Sequence, residues 1–148
     1  MANNAQAVYD TMIRALKGID WKFQELGDHV IRYTYTGKDF PMDFLVMIRD
    51  KADMVLFRTV MPCRIPDDKM TEALLATHMA NNKFRMGEFV LDFERKQVSF
   101  ALNPLYEDAT PREEWFIYLM QLAHMVADEY NDKFMMLAKG MISLQDFI

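Results

Sequence analysis

The stretch FPMDFLVMIRDKADMVLFRTVM, residues 40–61, reads as two strands joined by a short turn. Every second residue from Phe40 to Ile48 is apolar, which is the period-two pattern of a β-strand. Lys51-Ala52-Asp53 turns the chain, and MVLFRTVM then runs back. Because so short a connection joins only antiparallel neighbours, the sequence predicts an antiparallel sheet.

The same two strands are apolar on both faces. A strand with one solvent-exposed face should alternate between apolar and polar residues. The second apolar face therefore requires cover by helices, a second subunit or a bound partner. We predict that five residues here form a surface that binds another protein. They are Leu45, Met47, Leu56, Arg58 and Val60. In the alternative, the same residues pack under helices of one chain.

A helix and two more strands are predicted before this pair. Apolar residues at helical spacing predict a first helix that starts at Asn3 or Asn4 and ends at Gly18. The segments WKFQEL, residues 21–26, and HVIRYTYT, residues 29–36, then predict strands. The short turns indicate a meander of three to four antiparallel strands.

A second helix and a hairpin are predicted after the pair. The segment IPDDKMTEALLATHMANNKF, residues 65–84, predicts a helix with one stripe along Met70, Ala73, Leu74, Thr77 and Asn81. The stretch MGEFVLDFERKQVSFALNPL, residues 86–105, predicts a β-hairpin around a charged turn. Its apolar face is expected to carry Phe89, Leu91, Phe93, Val98, Phe100 and Leu102.

The last helix carries the clearest signals of its ends. Thr110-Pro111-Arg112-Glu113 is the sequence of a capping box, and Gly140 is a natural stop. A sustained apolar seam lies between them: Trp115, Leu119, Leu122, Val126, Tyr130, Phe134 and Leu137. The tail after it keeps Ile142, Leu144, Phe147 and Ile148. A tail this apolar is expected to dock on the body or on a neighbour.

Composition limits the class of protein. The 148 residues carry a net charge of −5 and are 51% hydrophobic, which predicts one globular domain over residues 1–148. The negative balance argues against nucleic acid as a ligand, and no apolar run is long enough to predict a membrane span. No secretory signal is visible and Cys63 is the single cysteine, so we expect a cytoplasmic protein.

Motifs for chemistry are absent from the sequence. The five glycines form no phosphate loop, and no cysteine–histidine pair has zinc spacing, so no cofactor or metal is predicted. His124, Asp128 and Asp132 share one side of the last helix, which we interpret as a solvated polar face rather than a metal site. Cys63 shows no activating surroundings in the sequence, so no catalytic residue is predicted.

The order of elements resembles the YbjN-like family, whose members share a fold with type III secretion chaperones. The residues that carry the resemblance are EALLATHMANNKFRMGEFVLDFERKQVSFALNPL, from 72 to 105, followed by the long last helix. The resemblance implies an α+β fold with an antiparallel sheet packed with helices, in the order helix, three to four strands, helix, two strands, helix. It also implies a homodimer without enzymatic activity, because secretion chaperones are dimers that hold an extended client segment along their sheet.

Two functions follow as hypotheses. The first is a protein-binding module, a chaperone-like adaptor or a regulator of bacterial signalling, which binds a protein partner through the apolar sheet surface. The alternative is a small-ligand binder or enzyme with a pocket between the sheet and the last helix, using His78, Tyr33 or Cys63.

Overall fold

A computed structural model describes residues 4–107 and 109–147 of the chain. The order of elements is the predicted one, with four strands between the first two helices and a hairpin before the last long helix. The elements are α1 (Ala5–Gly18), β1 (Gln24–Gly27), β2 (Val30–Thr36), β3 (Pro41–Arg49), β4 (Met54–Arg64), α2 (Met70–Asn81), β5 (Glu88–Asp92), β6 (Gln97–Leu102), α3 (Glu113–Ala138) and α4 (Leu144–Phe147). The predicted α+β fold class is confirmed.

The six strands form one antiparallel sheet in the order β1-β2-β3-β4-β6-β5. The strands β1 to β4 are consecutive hairpins, as their short connections require. The hairpin of β5 and β6 inserts with β6 beside β4, so β5 forms one edge and β1 the other.

One face of the sheet carries the hydrophobic core. In β3 the side chains of Met42, Phe44, Val46 and Ile48 are buried, whereas their neighbours along the strand are not. The same alternation buries residues of β2, β4, β5 and β6 on this face. We call this the covered face, because the helices pack on it. The predicted inward residues of β6, Val98, Phe100 and Leu102, all belong to this core.

The helix α3 is the centre of the helical layer. It packs against β4 and β6 and also against α1 and α2. The helix α2 approaches through small side chains, Ala73, Ala76 and Ala80, which allow close packing beside β5. The side chain of Asn81 at the end of α2 exchanges two hydrogen bonds with the backbone of Phe89, N–H at 2.8 Å and C=O at 3.0 Å. These bonds occupy part of the β5 edge, which would otherwise offer unpaired backbone groups to another strand.

The C-terminal segment docks on the body of the same chain, as expected. Gly140 has a φ of 72°, and the N–H of Met141 bonds the carbonyl of Met136 at 2.8 Å, which closes α3 with a Schellman motif. Phe147 is then fully buried, with its ring 4.9 Å from that of Phe134. Ile148 lies outside the described residues.

Three local predictions are wrong. The helix α3 begins at Glu113 without a side-chain cap, because the Thr110 hydroxyl donates to the side chain of Asn4 at 3.1 Å instead of closing a capping box. Leu74 is 44% exposed rather than part of the buried stripe of α2. Phe93 is 59% exposed because it lies in the turn after β5 rather than in the strand. The first helix begins at Ala5 after Asn4, and the other predicted cap, Asn3, lies outside the described residues.

Candidate functional site

The five residues predicted to bind a partner lie together on the second face of the sheet. We call it the open face, because no helix among residues 4–107 and 109–147 covers it. Leu45, Met47 and Leu56 are half-buried by their neighbours in the sheet, and Arg58 and Val60 are exposed. The structure therefore does not bear out the alternative that these side chains pack under helices of the chain.

The strand register gathers these residues into a patch. Leu45 of β3 is the cross-strand partner of Arg58 of β4, and Met47 is the partner of Leu56. Such directly opposed side chains are in contact range on one face of a sheet. The row continues beyond β4, where Arg58 pairs with Ala101 and Val60 with Ser99. The patch of Leu45, Met47 and Leu56 thus lies on the two central strands, β3 and β4.

A shallow depression of about 780 Å³ runs over the open face beside this patch. Leu45, Arg58 and Val60 line it, together with Arg32 and Asp43 from the neighbouring strands. Its apolar rim includes Leu26, which is 52% exposed, and Pro41 and Pro62. Apolar walls with a few polar groups are typical of a recognition surface.

Polar groups on the open face are organised around Asp43. Its carboxylate accepts hydrogen bonds from the Thr34 hydroxyl at 2.7 Å and from the Arg32 guanidinium at 3.0 Å. The Thr34 bond, followed by the Arg32 contact, holds the pKa of Asp43 below its usual range. This side of the depression is therefore charged but internally paired.

Arg58 differs from the arginines around it. Arg95 also lines the depression, and its guanidinium bonds Asp92 at 3.2 Å, as Arg32 bonds Asp43. Arg58 forms no hydrogen bond or ion pair with any described residue, and its cross-strand neighbours are Leu45 and Ala101. An exposed, unpaired guanidinium between apolar side chains is free to bind a ligand oxygen.

The residues predicted for a pocket under the last helix are not brought together. Tyr33 donates or accepts a buried hydrogen bond with His124 at 2.7 Å, whereas His78 is exposed on α2 beside Asn82. Cys63 lies near the far end of β4, and β3 separates that strand from β2, which holds Tyr33. Burial raises the pKa of the Cys63 thiol to about 11, which leaves it protonated and a poor nucleophile.

Two of the three polar residues predicted to form a solvated face of α3, His124 and Asp128, are buried, which corrects that prediction. His124 is 5% exposed and Asp128 7%, while Asp132 is half-buried. The ring of His124 stacks on Tyr35 with centroids 4.0 Å apart and interplanar angle 15°. Burial lowers the pKa of His124 to about 4, so the imidazole is neutral at neutral pH.

The turn between β2 and β3 explains why these polar groups are buried. The Asp128 carboxylate accepts from the backbone N–H of Lys38 at 3.1 and 3.2 Å, and the Asn131 amide donates to the Phe40 carbonyl at 3.2 Å. A β-carbon on Gly37 would overlap the Asp128 carboxylate. These groups of α3 therefore satisfy and position a turn, which is a structural task.

The described part of the chain contains neither a cluster of metal ligands nor a membrane-spanning helix. No cluster of three or more histidine, cysteine, aspartate or glutamate side chains is placed to hold a metal ion. No helix between residues 4 and 147, leaving aside residue 108, has the length and hydropathy needed to span a bilayer.

The comparison with known families decides the relationship. The YbjN family, described as "Putative bacterial sensory transduction regulator", matches residues 9–135. The chain belongs to the YbjN family. The resemblance predicted from the sequence is confirmed. A comparison with curated proteins finds no match.

Solved structures share the fold of this YbjN-family chain. YbjN from E. coli is 15% identical with a TM-score of 0.64, over 83% of this chain and 90% of that one. A chain of the HopA1–SchA chaperone–effector complex is 10% identical with a TM-score of 0.64, over 89% and 99%. A chain of the ExsC–ExsE complex is 9% identical with a TM-score of 0.61, over 88% and 96%. At these identities the likeness shows the fold, which is that of secretion chaperones.

Sequence reasoning missed several residues of this site. Arg32 and Asp43 line the depression from β2 and β3, Pro62 lines it from β4, and Thr34 of β2 supports Asp43 by a hydrogen bond. The face of the sheet on which they lie could be predicted from the sequence, because they alternate with the buried residues of their strands. What the sequence lacked was the cross-strand register, which alone shows that they are neighbours of Arg58 and Leu45.

Proposed function

We propose that this YbjN-family chain is a protein-binding module without enzymatic activity, a chaperone-like adaptor or signalling regulator. Its partner would lie as an extended segment along the open face. The observation that carries the proposal is the patch of Leu45, Met47 and Leu56, which remains partly exposed on a face without helices. Contact with a partner would remove this apolar area from water, at roughly 25 cal/mol per Å² of area buried.

The comparisons support the proposal by analogy. The HopA1–SchA structure is a chaperone–effector complex, and the ExsC–ExsE structure is a complex as well. Shared fold does not by itself carry shared function, so the argument depends on the surface of this chain. That surface is a broad shallow depression on a sheet, which suits an extended polypeptide better than a small molecule.

Capture of a partner tests the proposal. Tagged wild-type protein is incubated with extract of the native host, and the retained proteins are identified by mass spectrometry. The test variant carries Leu45→Glu and Met47→Glu, which places two charges in the patch. The matched control carries Leu75→Glu and Met125→Glu, which change a leucine and a methionine that are 46% and 62% exposed in the helical layer.

We expect a dominant partner that binds the wild type and the control but not the test variant. Circular dichroism and thermal unfolding establish that the test variant remains folded. Equal capture by all three proteins would place the binding surface elsewhere and contradict the proposal. Absence of any retained partner would contradict it as well.

A homodimer is part of the proposal, as the resemblance implies. The mass of one chain is 17.5 kDa, so light scattering on the purified protein should give about twice that mass. A monomeric mass would contradict the proposed homodimer but not the proposed partner-binding surface.

A further inference from the structure

Arg58 carries a further inference, which rests on the proposed function and names the chemistry of the partner. The residue is exposed at the centre of the sheet, in the strand that pairs with both β3 and β6. It forms no polar contact with the described residues around it, whereas Arg32 and Arg95 each bond an aspartate. One guanidinium of the open face is therefore available for an external carboxylate.

Charge around the depression is opposite to the charge of the whole chain. Four charged residues line it, Arg32, Arg58, Arg95 and Asp43, but Arg32 pairs with Asp43 and Arg95 with Asp92, so the unpaired charge is the positive one on Arg58. The chain as a whole has a net charge of −5. The unpaired Arg58 thus places a positive charge on the open face of an acidic protein, which attracts a carboxylate over distances up to about 10 Å at ordinary ionic strength.

The pattern along β4 specifies the arrangement of the partner. Leu56, Arg58 and Val60 are alternate residues of one strand, so their side chains lie in a line on the open face, apolar, then basic, then apolar. An extended polypeptide has the same alternation and about the same rise per residue. Its complement is therefore an apolar, an acidic and an apolar residue at every second position.

We propose that the open face binds an acidic extended segment of a partner protein, with an aspartate or glutamate on Arg58 and apolar residues two positions to each side. The guanidinium can hold a carboxylate by two parallel hydrogen bonds, which fixes both position and direction. A central arginine surrounded by apolar contacts is also a common energetic centre of protein interfaces.

A second copy of this chain fits the open face less well. Two copies joined face to face about a two-fold axis through the centre of the patch would bring Arg58 against its own counterpart. The two unpaired guanidinium groups would then repel each other in a surface that excludes water. The open face is thus suited to a different protein, and a homodimer would use another surface.

Three peptide pools test the inference on the purified protein. Each fluorescent peptide has an odd number of residues, about 13, with the test residue at its centre, a random choice of Leu, Ile, Val or Phe two positions to each side, and Ser or Gly elsewhere. The test residue is Glu in the first pool, Gln in the second and Lys in the third. Binding is measured by fluorescence anisotropy at low and at high salt.

We expect the Glu pool to bind about tenfold more tightly than the Gln pool, as one charge-assisted hydrogen-bonded pair predicts, and the Lys pool to bind most weakly. R58E should abolish the preference for the Glu pool, and R58K should reduce it because lysine cannot form the paired bonds. The control R112E reverses the same charge at the start of α3, in the helical layer, and should leave the preference unchanged.

Other outcomes overturn the inference. Failure of the Glu pool to bind better than the Gln pool, or the same preference in R58E, would show that Arg58 does not recognise a carboxylate. Self-association that R58E abolishes would make a second copy the occupant of the face.

The capture experiment separates this inference from the proposed function. If R58E still retains the partner that the Leu45→Glu and Met47→Glu variant loses, the open face binds a protein but not through a carboxylate. If neither variant loses the partner, the proposed function itself fails.

Discussion

The two faces of the sheet use similar apolar residues for different purposes. On the covered face, Phe44 and Phe100 are fully buried under the helices. On the open face, Leu45 directly follows Phe44 in β3, Met47 lies two residues further along the strand, and both remain partly exposed. Apolar character on both sides of a strand therefore does not mean burial on both sides: one face forms the core, and the described helices leave the other uncovered.

Polar residues show the same contrast in reverse. Under the helices, His124 and Asp128 are buried and their hydrogen bonds hold parts of the fold together. On the open face, Arg58 is exposed and has no partner among the described residues. His124 and Asp128 are thus structural residues of the covered face, whereas Arg58 leaves its guanidinium unpaired on the open face.

The largest expected effect comes from two adjacent residues that face opposite ways. Phe44→Ala removes a ring that stacks on Tyr33 at 5.4 Å and should lower the free energy of unfolding by about 3–5 kcal/mol. Leu45→Ala should lower it by less than about 1 kcal/mol, because the side chain leaves no buried cavity. Urea unfolding of both variants measures the difference. Similar losses for the two variants would mean that the open face is a second core.

The sequence predicted the elements and the covered face well. Period-two patterns identify Phe44 and Phe100 as inward residues without any knowledge of their neighbours, because burial of one face leaves this mark on each strand separately. The docking of Phe147 was also predicted, since an apolar tail is unfavourable in water.

The remaining features depend on contacts between distant residues. Helical spacing alone places His124 and Asp128 opposite the apolar seam, but a helix packed against a sheet and three other helices buries more than one stripe. The Thr110 hydroxyl has the right spacing for a cap, yet its contact with Asn4 removes it from that role. Which of the apolar faces stays open could not be predicted either, because it depends on where the helices pack.

The buried imidazole of His124 should make stability depend on pH. Burial lowers its pKa from 6.5 to about 4 in the folded state, so between these values the unfolded state binds more protons. Stability contributed by this group is therefore complete above about pH 6.5 and falls as the pH is lowered toward 4, by an amount on the order of 3 kcal/mol.

Comparison with a variant isolates this contribution from that of the carboxylates. His124→Gln stays neutral at every pH and leaves Asp128 in place. Urea unfolding between pH 4 and 7 should show a smaller slope for the variant than for the wild type. Equal slopes would indicate that the pKa of the imidazole is the same in the folded and unfolded states, which is inconsistent with its burial among aromatic rings.

The smallest effects are expected where the helical layer holds the β2–β3 turn. Gly37→Ala places a methyl group where the Asp128 carboxylate lies, so the carboxylate must move and give up its bonds to the N–H of Lys38. The expected loss is about 1–3 kcal/mol. Asp128→Ala should cost a similar amount, because it leaves the same N–H without its acceptor.

The double variant Gly37→Ala/Asp128→Ala shows whether both substitutions destabilise the protein by disrupting the same contact. Alanine at position 128 makes room for the new methyl group, so adding Gly37→Ala to Asp128→Ala should cost less than about 0.5 kcal/mol more. The four proteins form a double-mutant cycle that urea unfolding can measure. If the losses in the free energy of unfolding were additive, the turn would accommodate the methyl group of Gly37→Ala by moving away from α3. A strong coupling would instead show that buried polar contacts on the covered face support the same hairpin whose outer side forms the open face.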